Sequence, residues 1–178
     1  MSYPEARYLK DEGEISAKFR SATQQPDLTI GARAVIRYLA KGVSTNGRFG
    51  LYRWEVGART PGATPHFHKT MSESFYVLSG TVQLFSGERW IDATAGDFLY
   101  VPEGGIHGFG NDSDEPASML ILFAPGAPRE PYFEAIAERV AGREFSDEEW
   151  AEVCLQNDNY FIDPKSHSLY EKLRSEKR

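Results

Sequence analysis

Between about Ile30 and Phe123, short runs rich in Val, Ile, Phe, Tyr and Thr alternate with Gly, Pro and Asn breaks. That rhythm predicts many short antiparallel strands rather than helices. The expected strands are 32–40, 49–56, 73–78, 82–86, 89–93, 97–101, 107–111 and 118–123, with tight turns at Ser79 and Gly80, Ser86 and Gly87, and Ala95 and Gly96. Strands this short and this closely spaced suggest a sandwich or a closed barrel, and closure also removes exposed sheet edges.

The pattern changes on either side of this stretch. Residues 1–28 are polar, carry mixed charges and hold no period of two or 3.6, so they read as an N-terminal arm with a short helix near 12–19. After Pro125, the residues Phe133, Ile136, Ala137 and Val140 recur at helical spacing, with Pro131 suited to the first turn and Gly142 to the stop. A second helix follows from Ser146, which can cap it, and Glu149, which can reach back, with Phe145 and Trp150 as a hydrophobic staple. Trp150, Val153 and Cys154 share one face of that helix. The stretch 157–164 reads as an ordered loop, and 165–178 as a charged tail in which His167 is solvated. The expected organisation is an arm (1–28), a β-barrel (29–126) and a helical extension with its tail (127–178).

Composition narrows the class. Hydrophobic residues make up 40% of the 178 positions, enough for a core and against wholesale disorder. The formal net charge of -6 argues against a nucleic-acid surface, which needs cations to neutralise phosphates. No apolar run approaches the ~20 residues of a membrane helix, and the polar opening is unlike a signal peptide. One cysteine, Cys154, leaves neither a disulfide framework nor a cysteine-based zinc module. The expectation is a soluble cytoplasmic chain that binds neither nucleic acid nor membrane.

Candidate chemistry is concentrated in three of the four histidines. His66 and His68 flank Phe67, and on a strand alternate side chains share a face, so both imidazoles point the same way. Glu73 opens the next strand and His107 a later one. Three imidazoles and a carboxylate are donors suited to Fe, Mn, Co, Ni, Cu or Zn. Four protein donors leave room on a five- or six-coordinate ion, whereas a structural zinc is usually closed and richer in cysteine.

These residues also stand at a recognisable spacing. His66-x-His68, four residues, Glu73, six residues, Gly80 resembles the first motif of the cupin superfamily. Gly96, five residues, Pro102-x-Gly104, two residues, His107, three residues, Asn111 resembles the second, with fifteen residues between the motifs. Where the pattern carries a glycine six residues before the first histidine, this chain has Thr60, with Gly57 and Gly62 nearby. The resemblance implies an all-β double-stranded β-helix, or jelly-roll barrel, over about 30–125, with a short C-terminal helical extension. The sequence Phe123-Ala124-Pro125-Gly126, the helices and Tyr160-Phe161-x-x-Pro164 are similar to the quercetinase-like monocupins. In that family a metal held by three histidines and a glutamate binds a phenolic substrate and O2. Carried over, His66, His68, Glu73 and His107 are the ligands of one divalent transition metal. Glu73 is a ligand alone or also the base that takes a substrate proton. A homodimer is a further implication.

Strand parity places Phe75 and Val77 with Glu73, and Phe109 with His107. Together with Phe98 or Tyr100 and with Phe123 they form an expected aromatic substrate pocket, although barrel filling uses the same residues. Arg53, Glu55 and Arg59 are either surface charges or groups that orient a polar substrate. Trp54 and Trp90 read as packing or interface residues. Three classes of function stay open: a metal-dependent dioxygenase of a small aromatic or enolisable compound, a non-redox isomerase, cyclase or decarboxylase, and a non-catalytic small-molecule-binding module.

Overall fold

The computed structural model of the protein describes residues 2–163 together with Lys165, Ser166, Ser168 and Lys172. His167 and Pro164 lie outside the described residues. The strands are β1 (Leu28–Ile30), β2 (Ala34–Ala40), β3 (Gly50–Val56), β4 (His66–Phe67), β5 (Ser72–Ser79), β6 (Thr81–Phe85), β7 (Trp90–Thr94), β8 (Phe98–Val101), β9 (Gly108–Gly110), β10 (Ala117–Ala124) and β11 (Tyr160–Phe161). Helices α1 (Glu130–Val140) and α2 (Asp147–Gln156) lie between β10 and β11.

One wall is a six-stranded sheet in the order β1-β2-β3-β10-β5-β8, all neighbours antiparallel. The opposing wall is the sheet β7-β6-β9, extended through an antiparallel bridge between His66 and His107 to the pair β4-β11. The two walls enclose the core as a double-stranded β-helix, the fold class expected from the sequence. Alternation decides what faces inward. On β5, Glu73, Phe75 and Val77 are buried and pair across to Phe123, Ile121 and Met119 of β10, while Tyr76 and Leu78 face solvent. Chain reversal between β5 and β6 is set by Gly80, whose φ is +70° and whose added Cβ would stand 2.5 Å from the Pro116 carbonyl oxygen.

The helices follow their sequence signals. Ser146 accepts from the Glu149 N–H while the Glu149 carboxylate accepts from the Ser146 N–H, and Phe145 meets Trp150 edge-on. Helix α1 turns Phe133 inward, where it lies 5.2 Å from the Tyr52 ring and 5.3 Å from Trp54, both edge-on. Two expectations are corrected. Residues 12–19 form no helix, because their exposed, mixed-charge side chains offer no apolar face to bury and so short a helix is marginal alone. Tyr160 and Phe161, read as loop, pair with Phe67 and His66 as β11. No helix among the described residues is long and apolar enough to cross a membrane.

Candidate metal centre

His66 and His68 enter the site from β4 and the residue after it, Glu73 from the second position of β5, and His107 from the approach to β9. The backbone fixes their meeting. His66 N–H donates to the His107 carbonyl and His107 N–H to the His66 carbonyl, both at 2.9 Å, so the two rings rise from one bridged pair with centroids 4.3 Å apart. Glu73 reaches them across the barrel from the other wall. All four side chains are buried, with Glu73 4% and His107 1% exposed, and their donor atoms lie within 4.8 Å of one another.

The hydrogen bonds prescribe the tautomers. Each histidine Nδ1 sits against a backbone carbonyl: Thr64 for His66 at 2.8 Å, Asp158 for His68 at 2.6 Å and Gly105 for His107 at 2.9 Å. A carbonyl only accepts, so each Nδ1 carries hydrogen and each neutral ring keeps its lone pair on Nε2. Yet Nε2 of His68 and Nε2 of His107 lie 2.9 and 2.8 Å from the same oxygen, Oε2 of Glu73. Lone pairs turned on a carboxylate oxygen repel unless positive charge stands between them. Protons supply that charge at low pH, and a bound cation would supply it above. The buried set of three histidines and a glutamate fits a divalent metal.

The electrostatics agree. Burial, then the His107 and His68 rings, push the His66 imidazole down to about 3. Burial would raise the Glu73 carboxyl, but the two imidazoles in contact with it outweigh that and hold it well below the usual carboxylate range. Burial would likewise lower His107, and Glu73 overrides it upward.

A cavity of about 500 Å³ opens from His66 and Glu73 toward the two helices. Its inner walls include Trp54, Phe109, Ile121, Phe123 and Phe133. The expected pocket residues therefore divide. Phe109 and Phe123 line the cavity, whereas Phe75 and Val77 are buried barrel filling outside it. Phe98 and Tyr100 are a correction: they are 63% and 56% exposed on the outer face, because Leu99 and Val101 take the inward positions of β8. Arg53 pairs with Glu55, and Arg59 with Asp112 and Asp114, away from the cavity; Trp90 lies half-exposed, and Cys154 is buried in α2. At the cavity entrance, an added Cβ on Gly62 would lie 2.1 Å from the Phe109 carbonyl oxygen, so the close approach belongs to Gly62 while Thr60 bridges to Asn111.

Three supporting residues carried no motif. The carbonyl of Asp158 holds His68, and its carboxylate accepts from the Lys69 and Thr70 N–H groups and the Thr70 hydroxyl. Arg129 donates to the Asn157 carbonyl and to Asn159 Oδ1, tying that loop to the start of α1. The run Asn157-Asp158-Asn159 signals a turn, and Asp158 does adopt φ +56°, but nothing local says which strand the turn will grip.

Residues 50–123 match the cupin domain family. Over that stretch the chain is similar to the cupin domain. A quercetin 2,3-dioxygenase of Bacillus subtilis (strain 168) is 28% identical over 158 residues, covering 80% of this chain and 46% of the relative. The chain thus spans about half the length of that curated relative. Among solved structures, KdgF from Halomonas sp. superposes with a TM-score of 0.54 at 16% identity, over 61% of this chain and 94% of that one. The polyketide cyclase RemF from Streptomyces resistomycificus gives 0.52 at 22%, over 63% and 80%. At these identities the structural likenesses establish the cupin fold.

Proposed function

We propose that His66, His68, Glu73 and His107 hold one divalent transition-metal ion, and that the protein is a metal-dependent dioxygenase of a small aromatic or enolisable compound. The observation that carries this reading is the gathering of three buried imidazoles and a buried carboxylate, their donor atoms within 4.8 Å of one another, at the head of an aromatic-walled cavity. A bound ion would supply the charge that acidifies a substrate hydroxyl and a place for O2 to react. The chain's own residues do the rest. The carbonyls of Thr64, Gly105 and Asp158 aim the imidazoles, and Trp54, Phe109, Phe123 and Phe133 exclude water and favour a flat ring. Glu73, ionised at neutral pH and lining the cavity, accepts the hydroxyl proton.

The likeness to a quercetin 2,3-dioxygenase supports trying flavonols first. Protein purified without added metal should contain a redox-active ion and consume oxygen with a member of a phenol and flavonol panel. No uptake with any metal across that panel would remove the dioxygenase reading, and full turnover with zinc alone would move it to the non-redox class.

A homodimer, proposed from the same family, has physical support at the outer face of β5 and β8. There Tyr76 pairs with Phe98, and with Tyr100 they leave three exposed rings beside the edge strand of the large sheet. Sedimentation of the protein against Phe98→Ser tests it: the wild type should run as a dimer and the variant should shift toward monomer, and a wild type that runs as a monomer removes it.

A further inference from the structure

The cavity holds a cation that the four-residue centre does not account for. Arg129 lines it and is only 3% exposed. Its guanidinium lies over three rings, 5.0 Å from Phe123, 4.9 Å from Tyr132 and 5.7 Å from Phe133. Its hydrogen bonds go to neutral oxygens, the Asn157 carbonyl and Asn159 Oδ1. Among the described residues no carboxylate stands within ion-pair distance of it, and its Nε has no partner. Arginine keeps its proton in proteins, so this is a buried charge without a counter-ion, an arrangement that costs several kcal/mol unless something compensates it. Trp54 adds a second donor: its Nε1 is also without a partner, and it lines the same cavity. Two of the three buried unpartnered polar atoms found among the described residues thus belong to one cavity wall.

The charge sum points the same way. Burial works against the charge of Arg129, the acidic group that most favours it is Glu73, and Glu73 is already engaged by His68 and His107. With a divalent ion at the centre, Glu73 cancels one of its charges, and Arg129 restores the excess. At the mouth, Lys165 is neutralised by Asp147 at 2.7 Å, so the rim supplies no spare anion from that pair.

We propose that the ligand of this cavity is an aromatic anion that carries an oxyanion group, such as a carboxylate, besides the hydroxyl that meets the centre, and that Arg129 is the residue that selects it. A carboxylate here would complete the hydrogen bonding of the guanidinium, with the rings of Phe123 and Phe133 beside its skeleton. This deepens the dioxygenase reading by naming the substrate class, and rests on it for the hydroxyl only.

Calorimetric binding of 3,4-dihydroxybenzoate and 3,4-dihydroxybenzamide to the metal-loaded protein, under nitrogen, tests the assignment. The benzoate should bind at least about tenfold more tightly than the amide, as a charge-assisted hydrogen bond implies. Arg129→Gln should bring the two affinities within about threefold of each other, and Arg129→Lys should keep part of the preference because it keeps the charge. If Arg129 only braces the loop at Asn157 and Asn159, Arg129→Gln would weaken both ligands alike and leave their ratio unchanged, which overturns the proposal. Equal binding of both ligands by the wild type, or binding of neither, also overturns it. Oxygen uptake separates this outcome from the reading it rests on: a protein that prefers the benzoate yet never consumes oxygen loses the dioxygenase assignment alone, and one that oxidises flavonols without an anion preference loses only Arg129.

Discussion

The centre has two flanks of different construction. The donor flank is made by β4, β5 and the approach to β9, where each side chain is placed by strand ladders and by the paired hydrogen bonds of His66 and His107. The bracing flank is made after the barrel is complete, by Arg129, Asp158, Asn159 and β11, and is attached through side chains and one two-residue strand. The first decides which atoms can meet. The second decides how the His68 ring is turned and what charge the cavity carries. A site divided in this way should lose its ion when the donor flank is damaged, and should lose affinity or selectivity, with its ion largely retained, when the bracing flank is.

The sharpest break is His107→Ala. Removing one of three imidazoles should take metal content from about one ion per chain to below about a tenth, while far-ultraviolet circular dichroism stays that of the barrel. Loss of the fold along with the ion would mean that the metal serves folding, and the distinction between flanks would lose its meaning. Next, Phe133→Ala should undo the anchoring of α1 to Tyr52 and Trp54 at a cost of about 3–5 kcal/mol in denaturant unfolding, the range for emptying an aromatic core position.

Acid should act on the donor flank alone. The His66 ring, pushed down to about 3 from an ordinary 6.5, favours the folded state when neutral. Its contribution is therefore complete above pH 6.5 and is lost as pH falls toward 3. Glu73, also held low, loses its contribution in the same direction, whereas raised His107 contributes at low pH and loses that as pH rises through its folded value. The metal-free protein should therefore lose stability between those limits, because His66 and Glu73 both lose their contributions while only His107 gains one. Thermal melts across the range would contradict this if stability rose on acidification.

Asp158→Ala removes the carboxylate that accepts from Lys69 and Thr70 but leaves the carbonyl that holds His68. Competition with a chelator should show a ~10–100-fold weaker ion, the usual effect of loosening a ligand's support. Unchanged affinity would make the loop a bystander. The smallest expected effect is Ser146→Ala, which should cost about 1 kcal/mol through the lost cap of α2 and leave metal content untouched.

The same division governs what the amino-acid sequence discloses. Period-two alternation, turn glycines and the two histidine motifs are local signals, and they lead directly to β2, β3, β5 through β8, β10 and the positions of the four donors. The capping box at Ser146 is local too, and α2 begins where it says. Arg129 and Asp158 are different: each works through partners far along the chain, so neither its neighbours nor its spacing marks it. Phe98 and Tyr100 fall between these cases. Strand alternation gives their parity with certainty only once Val101 is known to face inward, and that depends on the register of β8 against β5.

The central claim is that four buried side chains offer three unshared nitrogen pairs and a carboxylate to a single cation. Calorimetric titration of cobalt(II) into chelator-stripped protein measures this directly. The account predicts saturation at one ion per chain near pH 7.5, with His66→Ala and His107→Ala binding far more weakly. A wild-type protein that shows no saturable uptake, or takes up cobalt equally well without either histidine, would contradict it.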